Sequence, residues 1–145
     1  MTAAVPVPVD VLELVIRELR PLLAARPEPV AAGVKVSTVV STGAGANHAS
    51  GPPSLPWLLL AEDGHTWSWP AVQRAVIRIT TWHTSPHAAK ALCALAVGLL
   101  CVPRPPGSLL AIEPVAAPAA GLDPYTDAPL ATAAVAVHAR TPTRT

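Results

Sequence analysis

His83 and His87 stand four residues apart, with Cys93 and Cys101 downstream, and these four are the sequence's nearest approach to a metal-ligand set. A tetrahedral zinc site would need all four side chains to converge. Ser85-Pro86 between the histidines predicts a helix start, with serine as N-cap and proline at the first helical position, so only His87 is safely helical. Cys93 and Cys101 are eight apart, roughly on one helical face but two turns away from each other. Ordinary packing is the better account, and no metal is expected.

Other catalytic patterns are weaker still. Ser37, Ser41 and Ser50 lie near His48, but no Gly-x-Ser-x-Gly elbow accompanies them. A Cys93 nucleophile would need an electropositive, partly open site, whereas its neighbours are Ala, Leu and Val. Glu62-Asp63 is followed by Gly64 and predicts a turn rather than a catalytic carboxylate pair. Gly43-Ala44-Gly45 could open a dinucleotide fingerprint, but the third glycine is misplaced and prolines stand where a helix should follow. The chain is therefore expected to be neither an enzyme nor a cofactor carrier. Trp67 and Trp69 flank Ser68 and would share a face if extended. Two indoles so placed either form a contact surface or cap the chain's own core.

Composition narrows the function classes. The net charge is +1, with ten Lys and Arg against nine Asp and Glu. The basic residues are scattered, with Arg74 and Arg78 the one pair of note, so no dedicated nucleic-acid binding is expected. Sparse charge on a chain that is 51% apolar suggests a surface hidden in an assembly. With four Trp, one Tyr and no Phe, the core must come from Leu, Val, Ile and Ala. Two cysteines make no disulfide framework and fit synthesis in a reducing cytosol. Met1-Thr-Ala-Ala-Val-Pro carries no signal-peptide pattern. The longest uncharged apolar run, Ala91 to Val102, is too short to cross ~30 Å of hydrocarbon.

The positioning elements follow from periodicity and punctuation. Asp10 with Glu13 forms a capping-box-like pair, and Val9 with Leu14 a hydrophobic staple. Leu12, Val15, Ile16, Leu19, Leu22 and Leu23 repeat at helical spacing, with Pro21 expected to end or kink the helix. Strands are predicted over Val34–Val40, Trp57–Ala61, Arg74–Trp82, Leu109–Val115 and Thr132–Ala139, and a second helix over His87–Leu100. In the strand Arg74–Trp82, Ala75, Ile77, Ile79 and Thr81 share one face; Arg74, Val76, Arg78, Thr80 and Trp82 share the other. The 18 prolines punctuate the connections. The order α-β-β-β-α-β-β predicts an α+β fold: one mixed, mainly antiparallel sheet of about five strands with two packed helices. Residues 1–145 form one domain in this scheme, with 1–8 and 141–145 flexible.

Ala75-Val76-Ile77-Arg78-Ile79-Thr80-Thr81-Trp82 followed by Ser85-Pro86-His87-Ala88-Ala89-Lys90-Ala91-Leu92 resembles the strand–helix joint of the tail-terminator proteins of long-tailed bacteriophages. Gly121-Leu122-Asp123-Pro124, with Ala134–Arg140 after it, resembles their closing segment, and the likeness spans roughly residues 10 to 140. One departure is Pro129-Leu130, where relatives often carry an arginine; it leaves another head–tail neck or connector protein as the alternative. A small metal- or cysteine-dependent enzyme is the remaining reading. The resemblance implies a homo-hexameric ring, made in the host cytoplasm and placed in the virion at the tail–head junction. Such a ring seats on the tail tube, stops its growth and offers a docking surface for the head connector, while DNA passes through it. It implies no membrane partner and no sequence-specific nucleic acid. The segments Ser41–Pro53, Glu62–Pro70 and Ala117–Pro129 are expected to supply the contacts, with Trp67, Trp69, Arg74, Arg78, Asp123 and Tyr125 as interface residues.

Overall fold

The Asp10 carboxylate caps the first helix, α1 (Val11–Ala24), by accepting the Glu13 N–H at 3.1 Å. Val11, Val15, Ile16, Leu19 and Leu23 form its buried stripe, and Val9 and Leu14 pack partly buried beside it. Of the two outcomes expected at Pro21, the helix does not end there but runs on to Ala24. Arg17, whose carbonyl Pro21 leaves without its helical donor, lies on the exposed side, where water can satisfy it. The turn beyond carries Leu23, 1% exposed. Burying that side chain contributes about 1.5–3 kcal/mol, comparable to the ~3 kcal/mol a helical proline costs.

This computed structural model describes residues 3–39, 54–105 and 107–145. The expected loop Ser41–Pro53, with Gly43, Gly45 and His48, lies outside the described residues. The main sheet contains β2 (Lys35–Ser37), β3 (Trp57–Ser68), β4 (Val72–Trp82), β5 (Leu109–Leu122) and β6 (Pro129–Arg140), in the order β2-β3-β4-β6-β5. The second helix, α2 (Pro86–Cys101), lies between β4 and β5 in the chain. The fold is α+β, with a mixed sheet that is antiparallel except for the β2–β3 pair. β4 and β5 run parallel to each other with β6 between them, so α2 is the crossover that joins them.

Three strands depart most from the sequence reading. β2 is shorter than Val34–Val40 and pairs parallel rather than antiparallel to β3; the connection over 38–56 is long enough to bring the chain back to the same starting end. β3 does not turn at Glu62-Asp63-Gly64 but runs to Ser68, because a bulge between Glu62 and Gly64 absorbs one extra residue. β5 runs past Val115 to Leu122 despite Pro114 and Pro118. An edge strand pairs on one side only, so missing N–H groups are tolerated there, and three register shifts accommodate them. The chain ends also pair, β1 (Val5–Pro6) lying antiparallel to β7 (Thr143–Arg144).

Both helices pack on one face of the sheet. Ala75, Ile77, Ile79 and Thr81 of β4 are all completely buried there, as the alternation predicted, together with Leu58, Leu60, Val135 and Val137. Ala89, Leu92, Cys93, Ala96 and Leu100 are the buried residues of α2. The Thr81 hydroxyl donates to the Ala89 carbonyl at 2.7 Å, so this buried hydroxyl is satisfied. The central cluster is built of Leu, Val, Ile, Ala and Cys93, without an aromatic side chain.

At one end of the sheet Gln73 is fully buried and fully bonded. Its Oε1 accepts the Val9 N–H at 2.8 Å and the Thr141 hydroxyl at 3.3 Å. Its Nε2 donates to the Val9 carbonyl at 3.0 Å and stands 2.9 Å from His65 Nε2. Only this amide orientation serves both Val9 groups, so His65 Nε2 must accept, which leaves its Nδ1 to face Glu62 at 3.2 Å. Thr141 in turn accepts the Trp67 indole N–H at 3.1 Å. One side chain thereby ties the entry to α1 and the exit from β6 to the base of the β3–β4 hairpin.

Gln73→Leu keeps the volume but strands the Val9 N–H and C=O. It should cost about 1–3 kcal/mol in a denaturant melt, and native-state hydrogen exchange should show the Val9 amide losing protection ahead of the core.

Candidate functional site

The sheet face opposite the helices carries Arg74, Val76, Arg78 and Thr80 of β4, beside Thr132, Ala134, Ala136 and His138 of β6. Arg78 pairs with Asp63, the extra residue of the β3 bulge, at 3.3 Å, and Arg74 lies across from His138. Both arginines thus stand on one face, as the alternation required, and both are exposed. Trp82 belongs to the same face but is buried, 6% exposed.

The remaining expected interface residues lie at opposite ends of the strands. One end carries the β3–β4 turn. The expected common face of Trp67 and Trp69 does not form, because β3 stops at Ser68 and Trp69-Pro70 lies in the turn. Trp67, 38% exposed, is engaged with Thr141, whereas Trp69 is 69% exposed. Trp69→Ala therefore removes surface alone, while Trp67→Ala also strips a bond from the Gln73 network. Arg140 closes β6 at this end, paired in register with Val72.

The other end carries the β5–β6 turn, residues 123–128. Asp123 is only 3% exposed and acts as its scaffold rather than as a contact surface. Its Oδ2 accepts the Trp82 indole N–H at 2.8 Å, and its Oδ1 accepts the N–H groups of Tyr125 and Thr126 at 2.8 and 3.3 Å. The backbone adds Asp127 N–H to Asp123 C=O and Asp123 N–H to Ala128 C=O, both 2.9 Å. Asp127 adopts a φ of 57°, in the left-handed region that aspartate tolerates better than most residues. On this frame Tyr125 stands 71% exposed and Leu122 60% exposed. Asp123 fell within the segment Ala117–Pro129 expected to supply contacts, but the Trp82–Asp123 bond joins residues 41 apart and had no local signal.

Among the described residues the candidate metal ligands do not converge. His83 Nε2 lies 3.0 Å from the Val30 carbonyl, and Cys93 is on the buried face of α2. Among the described residues no group of three His, Cys, Asp or Glu could hold a metal ion, and no helix is long and apolar enough to cross a membrane. Burial pushes the Cys93 thiol up to about 11, and burial also raises Cys101, Arg104 partly opposing the shift. A thiol of that pKa is only about one part in a thousand thiolate at pH 8, the reverse of an activated nucleophile. Compared with protein-family models and with curated proteins, the chain matches none.

Two outcomes are expected. Asp123→Asn offers one oxygen where two are used and turns an NH2 toward an N–H donor, which should cost about 2 kcal/mol and shift the Trp fluorescence of the folded state. Iodoacetamide at pH 8 should leave Cys93 unmodified in the native protein and alkylate it once denaturant is added.

Proposed function

We propose that this chain is a tail-terminator-like ring protein, which caps a phage tail tube, stops its growth and presents a surface to the head connector. The observation that carries the proposal is the placement of exposed apolar groups at two opposite ends of one sheet. Trp69 projects at the β3–β4 end, and Leu122 and Tyr125 project at the β5–β6 end. A closed ring is a heterologous assembly in which each subunit presents two different patches to its neighbours, and a chain with two unlike apolar ends suits it. β4 alone has 11 residues, which at ~3.3 Å per residue separates those ends by roughly 33 Å.

The edges of the sheet favour contact through side chains over strand addition. β5 is blunted by prolines and register shifts, and β2 offers only three residues. The strand–helix joint Ala75–Leu92 that resembles terminators is the central strand β4, the Ser85-capped turn and the first half of α2. No catalytic role is proposed.

Electron microscopy of tubes assembled from the cognate tube protein, with and without this chain, tests the proposal. Tubes of one fixed length bearing a ring at one end are the expected result. Uncapped tubes of scattered length would sink the terminator assignment and favour another neck protein.

A further inference from the structure

We propose that Tyr125 of one copy seats in a cavity beside Arg140 of the next copy, forming the subunit contact of the ring. This rests on the ring reading above and names its interface.

The projecting part is the turn over residues 123–128. Its carboxylate and backbone bonds, the Trp82–Asp123 bond among them, fix the turn while leaving Tyr125 exposed. An exposed aromatic on a preorganised frame loses little ordering entropy when it binds, and that is the character of an interface anchor. Asp127, on the same turn, is exposed and forms no ion pair among the described residues.

The receiving part lies at the other end of the sheet. A cavity of about 270 Å³ is lined by Val9, Gly107, Ser108, Arg140 and Pro142. It is smaller than the ~300–1,000 Å³ of small-molecule sites, which suits a single side chain. Its walls are held: Gln73 clasps Val9, the Val7 N–H donates to the Pro142 carbonyl at 3.0 Å, and the Arg140 N–H donates to the Ser108 carbonyl at 2.8 Å. Val9 and Pro142 offer apolar contact to a ring, and the Arg140 guanidinium can stack on its face or donate to its hydroxyl. Arg140 is exposed and, like Asp127, forms no ion pair among the described residues. Each charge meets its opposite when the turn of one copy enters the cavity of the next. Turn and cavity lie at opposite ends of the strands, so a copy cannot fill its own cavity and must take the turn of another.

Sedimentation velocity of the full chain and of Tyr125→Ala and Arg140→Glu tests this. The wild type should sediment as a closed oligomer and each variant as a folded monomer, its association weakened roughly 30-fold or more, as loss of a buried anchor does. Mixed together, the two variants should form a dimer and nothing larger, because Tyr125→Ala keeps the cavity and Arg140→Glu keeps the turn. Asp127→Arg combined with Arg140→Glu should restore the oligomer. A wild-type chain that stays monomeric, variants that oligomerise like the wild type, or a mixture that stays monomeric would each overturn the contact. Failure of the terminator assignment is distinguishable: wild-type rings that leave tubes uncapped sink that assignment alone, whereas variants that cap tubes as well as the wild type sink the contact alone.

Discussion

A buried amide holds both ends of this chain to its sheet. Gln73 is completely enclosed, yet its two hydrogens and its oxygen's two lone pairs are all engaged: Val9 on both backbone groups, Thr141 through its hydroxyl and His65 through its ring. An unpaired buried amide costs several times what a satisfied one contributes. The segment before α1 and the segment after β6 are therefore placed together or not at all. The short β1–β7 pair and the walls of the cavity around Val9 and Pro142 both depend on that placement.

At the far end of the strands a second buried polar group does similar work. Asp123 accepts an indole N–H from β4 and two backbone N–H groups of its own turn, so the turn is fixed relative to the central strand. Between these two polar anchors the sheet is packed by aliphatic side chains on the helix face. The opposite face is left to small residues and to Arg74 and Arg78. Rigid ends with exposed aromatic groups, joined by a stiff central strand, give a subunit with two defined and different surfaces. That is the requirement of head-to-tail association, and the proposed function depends on it.

The differences from sequence expectation share a physical origin. Asp63-Gly64 has turn composition, but in β3 a bulge tolerates the extra residue while the ladder to β4 continues on both sides. Pro114 and Pro118 read as breakers, yet an edge strand needs no N–H on its outer side. Pro21 reads as a stop or a kink, and the helix continues past it with Leu23 held in the core. In each case the local signal was present, and tertiary pairing or burial offset its cost.

The sequence by itself determined the helices, through the Asp10 and Ser85 caps and the apolar spacing of α1 and α2. It also determined the two faces of β4, because strict alternation leaves no other arrangement, and the α+β class, because the element order admits few others. It named Trp67, Trp69, Arg74, Arg78, Asp123 and Tyr125 together as interface residues, without separating the exposed Trp69, Arg74, Arg78 and Tyr125 from the others. Only the tertiary structure decided that Asp123 is a buried scaffold, that Gln73 joins the chain ends, and that Trp67 bonds to Thr141, 74 residues away. Those contacts arise between residues that become neighbours only when strands distant in the chain pair, and single-residue patterning carries no information about such pairs.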